Sequence, residues 1–184
     1  GAMAGLWPYA ALAWRLAGDP RAAWLECEGL VKIFDLGPDE VDLAGLAALL
    51  RQRHAGSGRY FDQSVRHGTQ TDGALFGRCD ARIVQLRTGL ARRVGEHIAG
   101  LPTADPAHPA LGPRRDRPVR FAGSWSVRLT EAGFHASHHH PQGWFSSAFY
   151  VAVPEGLEAD EGQLAIGESP ADLALGLPAY RMVE

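Results

Sequence analysis

The sequence predicts an α+β fold in which consecutive short strands form an antiparallel sandwich or barrel with helices packed outside. Two observations carry this. Helical periodicity dominates roughly the first hundred residues, and from residue 119 onward the apolar period changes to two. Length sets the scale: 184 residues suffice for one domain with a real core, or one domain plus a short appendage.

Each element has its own signal. Over residues 6–26, Leu6, Tyr9, Leu12, Ala13 and Leu16 recur at three- and four-residue spacing, and Gly18-Asp19-Pro20 stops the first helix. A second helix starts at Arg21, with Asp19 as its cap and Pro20 at the first helical position. Residues 30–36 read as a strand. Residues 39–54 read as a helix with Val41, Leu43, Leu46, Leu49 and Leu50 inward. Residues 55–79 are glycine-rich without a sustained period and read as a long loop. Within that loop, Gly68 to Gly73 is a dense set of small hydrogen-bonding residues, either a capped turn or part of a site. Asp80 caps a helix reaching about residue 99, with Ile83, Leu86, Leu90, Val94 and Ile98 on one face. Residues 100–118 are proline-rich and irregular.

Val119, Phe121, Gly123, Trp125, Val127 and Leu129 then alternate with polar or small residues, the pattern of a half-buried strand with its apolar side inward. Further strands are predicted over 134–140, 144–153, 163–167 and 179–183.

Composition narrows the function classes. Hydrophobic residues make up 46% and charged residues 21%, the balance of a soluble globular protein. A net charge of -3 argues against general nucleic-acid binding, which needs a basic excess to neutralise phosphates. Arg114, Arg115 and Arg117 lie between Pro113 and Pro118 and read as a solvated loop. Two unpatterned cysteines, Cys27 and Cys79, suggest a reducing, cytoplasmic compartment. No apolar run approaches the ~20 residues of a membrane span, and no signal peptide is visible. Gly1-Ala2-Met3 resembles a scar left by tag removal.

Half of the eight histidines fall between His135 and His140. On a strand, alternate side chains share a face. His138 and His140 would then point one way, and His135 and His139 the other. Paired neutral imidazoles suit a divalent transition metal. Two ligands do not make a tight site, so a third must come from elsewhere.

The run Gly123-Ser-Trp-Ser-Val-Arg-Leu, then Gly133-Phe-His, then His138-His-His-Pro-Gln-Gly-Trp-Phe-Ser-Ser-Ala-Phe-Tyr-Val-Ala-Val-Pro154 resembles the 2-oxoglutarate/iron(II)-dependent oxygenases found behind tetratricopeptide repeats in bacteria. Weaker likeness extends to Asp62-Gln-Ser-Val-Arg, to Gly68-Thr-Gln-Thr-Asp-Gly and to Leu177-Pro-Ala-Tyr-Arg-Met-Val-Glu184. The Trp7 to Pro20 stretch resembles the last unit of a tetratricopeptide array. It implies a helical extension over residues 1–27, through which a protein partner would bind, and a partial oxygenase-like domain over 28–184.

The resemblance implies a double-stranded β-helix (jelly-roll) and an iron(II)- and 2-oxoglutarate-dependent dioxygenase. His138 and His140 would be metal ligands. A histidine at the second ligand position departs from the carboxylate common in the broader superfamily. On the predicted 144–153 strand, Tyr150 shares a face with Trp144, Ser146 and Ala148. Ser146 and Tyr150 are therefore candidates to line the co-substrate pocket, with plain packing as the alternative. The superfamily draws its last histidine and a basic residue for the 2-oxoglutarate tail from later strands. After His140 there is no histidine, and Arg181 is the one basic residue. The missing groups are expected beyond Glu184, making the sequence truncated at its C-terminus and inactive alone.

Two other readings stay open. A cupin-like metal protein fits Gly133 followed by His-x-His, but the first glutamate after it is distant, at Glu155. A non-catalytic interaction module would combine helical repeats with a degenerate β-helix.

Overall fold

The structure, a computed structural model, describes residues 4–56, 63–158 and 161–183. Gly1-Ala2-Met3, Asp62 and Glu184 lie outside the described residues, as does part of the predicted 55–79 loop. The chain divides into two compact units. One comprises Gly1–Val31, Leu101–Arg114 and Ser137–Glu184, and the other Lys32–Gly100 and Arg115–Ala136.

In the first unit, helix α1 spans Trp7–Leu16 and helix α2 spans Arg21–Leu25. Asp19 accepts from the Arg21 backbone N–H at 2.9 Å, satisfying a donor that the helix start leaves open. Trp7, Trp14 and Trp24 join the two helices, with ring centroids 6.3–6.4 Å apart. Of the predicted α1 face only Leu12 is buried; Leu6, Tyr9 and Leu16 are 52–54% exposed. The tryptophans, not the aliphatic stripe, hold these helices.

His108 is 1% exposed. Its Nδ1 accepts from the Ala110 and Leu111 N–H groups at 3.0 and 3.2 Å. Nε2 must therefore carry the proton, and it donates to the Trp24 and Leu25 carbonyls at 3.1 and 3.2 Å. This ring locks the 101–114 segment onto α2.

In the second unit, helix α3 spans Leu43–His54, capped by Asp42, which accepts from Gly45 N–H at 3.0 Å. Strand β1 spans Val65–Gln70, helix α4 Ala81–Ala99 and strand β2 Val127–His135. Val41, Leu46, Ala47, Leu50, Leu75, Ile83, Leu86 and Ile98 form the core. Leu43, predicted inward, is 44% exposed, because the cap at Asp42 starts the helix with that position turned out.

β1 and β2 pair antiparallel, from Val65↔His135 to Gln70↔Val127. Between Arg66↔Phe134 and Gly68↔Leu129 the register shifts, so residues 130–133 of β2 stand against His67 alone. A Cβ at Gly133 would sit 2.4 Å from the His67 carbonyl oxygen, so that bulge needs glycine. The predicted 55–79 loop thus contains a strand.

Strands β3 (Leu164–Ile166) and β4 (Arg181–Val183) pair antiparallel in the first unit. The fold is mixed helix and sheet, with two small antiparallel sheets and no barrel among the described residues.

Several predicted strands do not form. Residues 30–36 pair with no strand among those described. Instead Leu36 packs on Gly89 of α4, and Arg93 donates to the Asp35 carbonyl at 3.0 Å. Residues 119–126 are not strand either, and the inward parity there is the polar one. Ser124 Oγ accepts from Phe76 N–H at 2.9 Å, and Ser126 Oγ bonds the buried His54. Phe121 and Trp125 stay 37% and 41% exposed. The 134–140 strand ends at His135, and residues 144–153 form no strand.

Leu46 and Ile83 are both fully buried. Truncating either to alanine should lower stability by about 2–5 kcal/mol through lost burial and a residual cavity. Leu43→Ala should stay within ~0.5 kcal/mol. Urea unfolding followed by helical circular dichroism checks the contrast, and equal effects from Leu43→Ala and Leu46→Ala would refute this core.

Candidate metal centre

The His138 and His140 imidazoles come together, with Nε2 atoms 3.1 Å apart, ring centroids 4.8 Å apart and planes at 87°. Strand parity is not the reason, since β2 ends at His135. After Ala136 donates to the Ser64 carbonyl at 2.8 Å, the chain leaves the β1–β2 ladder. A turn then closes, in which Gly143 N–H donates to the His140 carbonyl at 3.3 Å. The other two histidines go elsewhere: His139 meets the edge of Tyr9 at 6.1 Å, and His135 Nδ1 lies 3.1 Å from Ser64 Oγ.

The spacing suits one ion. Metal–nitrogen bonds of ~2.0–2.1 Å hold two ligands ~2.9–3.4 Å apart at octahedral to tetrahedral angles. Burial first, then the neighbouring His138 and His139, hold the His140 pKa below its ordinary value. The neutral ring, the form that ligates, is thereby favoured. Both histidines are exposed, so an ion reaches them from solvent. Among the described residues, no group of three or more His, Cys, Asp or Glu side chains gathers at one point.

Ser137, just before the pair, donates its hydroxyl to Glu168 Oε2 at 3.0 Å. Ser146 and Tyr150 are both exposed. Residues 144–153 form no strand, and Phe149 and Val151 are more buried than Ser146, Ala148 and Tyr150. Trp144 is held instead by donating to the Ala110 carbonyl at 2.9 Å and by packing on Phe145.

A second polar cluster lies in the other unit; it takes in Thr69 and Thr71 of the Gly68–Gly73 stretch noted above, together with His54 and Ser126, which had not been singled out. His54 is 6% exposed; its Nδ1 is 2.8 Å from Thr69 Oγ1 and its Nε2 3.0 Å from Ser126 Oγ. Thr71, also buried, accepts from Ser126 N–H at 3.0 Å. The signal available in sequence was the density of hydroxyls at 69–71 and 124–126, which only pairing of the two segments makes meaningful.

The family model described as "Putative 2OG-Fe(II) oxygenase" matches residues 123–178. The matched stretch is similar to an oxygenase domain that uses iron(II) and 2-oxoglutarate. It takes in His138, His140, Ser146, Tyr150 and Glu168 and leaves out α1 to α4. Comparison with curated proteins gives no match, and comparison with solved structures gives none. No helix among the described residues is long and apolar enough to cross a membrane.

Burial, with Arg128 adding to it, pushes the His54 pKa below its ordinary value. The unfolded chain therefore takes up this proton first as pH falls. Stability should drop as pH falls through the ordinary histidine value near ~6.5 and level off below the folded value. His54→Gln should flatten this part of the profile in urea titrations between pH 7.5 and 5. An unchanged slope would remove His54 as its source.

Proposed function

We propose that the chain carries the iron site of an iron(II)/2-oxoglutarate-dependent dioxygenase, with His138 and His140 as two of its ligands. The observation that carries the reading is the 3.1 Å approach of the two Nε2 atoms inside the segment that the family model matches. Loaded with iron(II) and 2-oxoglutarate, such a centre supplies the oxidising power for C–H hydroxylation.

This chain's own residues do the binding and orienting. The two imidazoles present nitrogen donors from one short stretch, His138 to His140. For both Nε2 atoms to ligate, the hydrogen between them moves to a ring Nδ1, and each imidazole stays neutral. Three donor positions from protein leave room for a chelating co-substrate and oxygen. Ser146 and Tyr150, exposed beyond the pair, are proposed to contact the co-substrate, and a double-stranded β-helix is the architecture proposed for the matched segment.

Under anaerobic conditions, iron(II) with 2-oxoglutarate should give the visible charge-transfer band of a chelated α-keto acid on the full chain. His138→Ala and His140→Ala should each abolish it, together with any iron-dependent succinate formation. A wild-type chain that gives no band, or either variant keeping it undiminished, defeats the reading.

A further inference from the structure

We propose that Tyr9 of α1 is a positioning residue for the histidine pair, acting through His139, the residue that separates His138 from His140. This rests on the iron-binding reading above. The His139 ring meets Tyr9 edge-on, with centroids 6.1 Å apart and planes at 85°, the geometry of a favourable aromatic pair. His139 Nε2 also lies beside Gly5, 3.8 Å from where a Cβ on that residue would sit. Gly5 belongs to the single turn Ala4–Leu6 that leads into α1, and Tyr9 to the start of α1 itself, so one short helical stretch supplies both contacts.

α1 is a firm support because it is tied down elsewhere. Trp7 and Trp14 pack on Trp24 of α2, and Leu12 is buried. Arg15, whose side chain is only 13% exposed, donates from Nη1 to the Gly167 carbonyl at 2.6 Å and from Nη2 to the Pro178 carbonyl. The helix lies outside the segment that the family model matches, yet it meets that segment at two places, at His139 and at the Gly167 and Pro178 carbonyls.

Residue 139 is the position from which one contact acts on both imidazoles. The peptide groups on either side of it are planar, and each carries the backbone of one of the pair. Holding the His139 side chain therefore narrows the conformational freedom of both neighbours. Imidazoles already near the geometry an ion needs lose less conformational entropy when it binds. Tyr9 thus raises the affinity of the pair without touching the ion, and His139, turned to Tyr9, is not a ligand.

Cobalt(II) titration of the full chain, read by visible absorption, tests this without turnover. Tyr9→Ala should weaken binding by ~2–10-fold, the scale of one aromatic pair. Tyr9→Phe keeps the ring and should bind as the wild type does. Leu16→Ala removes an equally exposed side chain from the same helix, 53% against 52%, and should leave affinity unchanged. His139→Ala should match Tyr9→Ala, and the double variant should be no weaker than either single one, since both remove the same contact. Unchanged affinity in Tyr9→Ala overturns the proposal. So does an equal loss in Leu16→Ala, which would make the effect one of helix stability. In both cases, binding that His138→Ala and His140→Ala abolish leaves the iron reading intact. A wild-type chain that binds no cobalt removes both. Should Tyr9→Ala unfold, His139→Phe against His139→Ala tests the contact from the other ring: tighter binding in His139→Phe supports it, and equal binding, or none in His139→Phe, overturns it.

Discussion

A buried imidazole must find a partner for each ring nitrogen, and that constraint organises both units of this chain. In one unit, His108 accepts two backbone N–H groups and donates to two carbonyls of α2, so the irregular 101–114 segment is held without secondary structure of its own. In the other, His54 at the end of α3 reaches hydroxyls from β1 and from the approach to β2. Removing either ring would leave several buried polar groups unsatisfied at once, a larger cost than one lost hydrogen bond. The polar networks, more than the modest apolar cores, decide which segments meet.

The same constraint explains which elements could be read from sequence. α4 was plain: Asp80 caps it as expected, and Ile83, Leu86 and Ile98 are buried on one face. β3 and β4 fall inside the ranges their patterns indicated. The alternation over 119–130 misled because its inward side is the serine side. Ser124 and Ser126 are required by backbone and imidazole partners that lie far away in sequence. β1 was hidden because its residues, Val65-Arg-His-Gly-Thr-Gln70, are mostly polar and carry a bulge. Nothing local marks such a strand; its partner does.

The histidine pair shows the same division. That His138 and His140 belong together could be read from their spacing, but the reason proved different. β2 ends at His135, yet the imidazoles three and five residues further on still approach to 3.1 Å.

The tryptophan distribution has an optical consequence. Of the five, Trp7, Trp14, Trp24 and Trp144 lie in the unit that holds the histidine turn, and Trp125 lies in the other. Intrinsic emission is therefore weighted toward one half of the molecule, while far-ultraviolet ellipticity is weighted toward α3 and α4 in the other half. The close packing of the first three indoles adds exciton coupling to that signal. Fluorescence and ellipticity are thus reporters of different units, and the agreement of their midpoints measures how far the chain melts as one cooperative body.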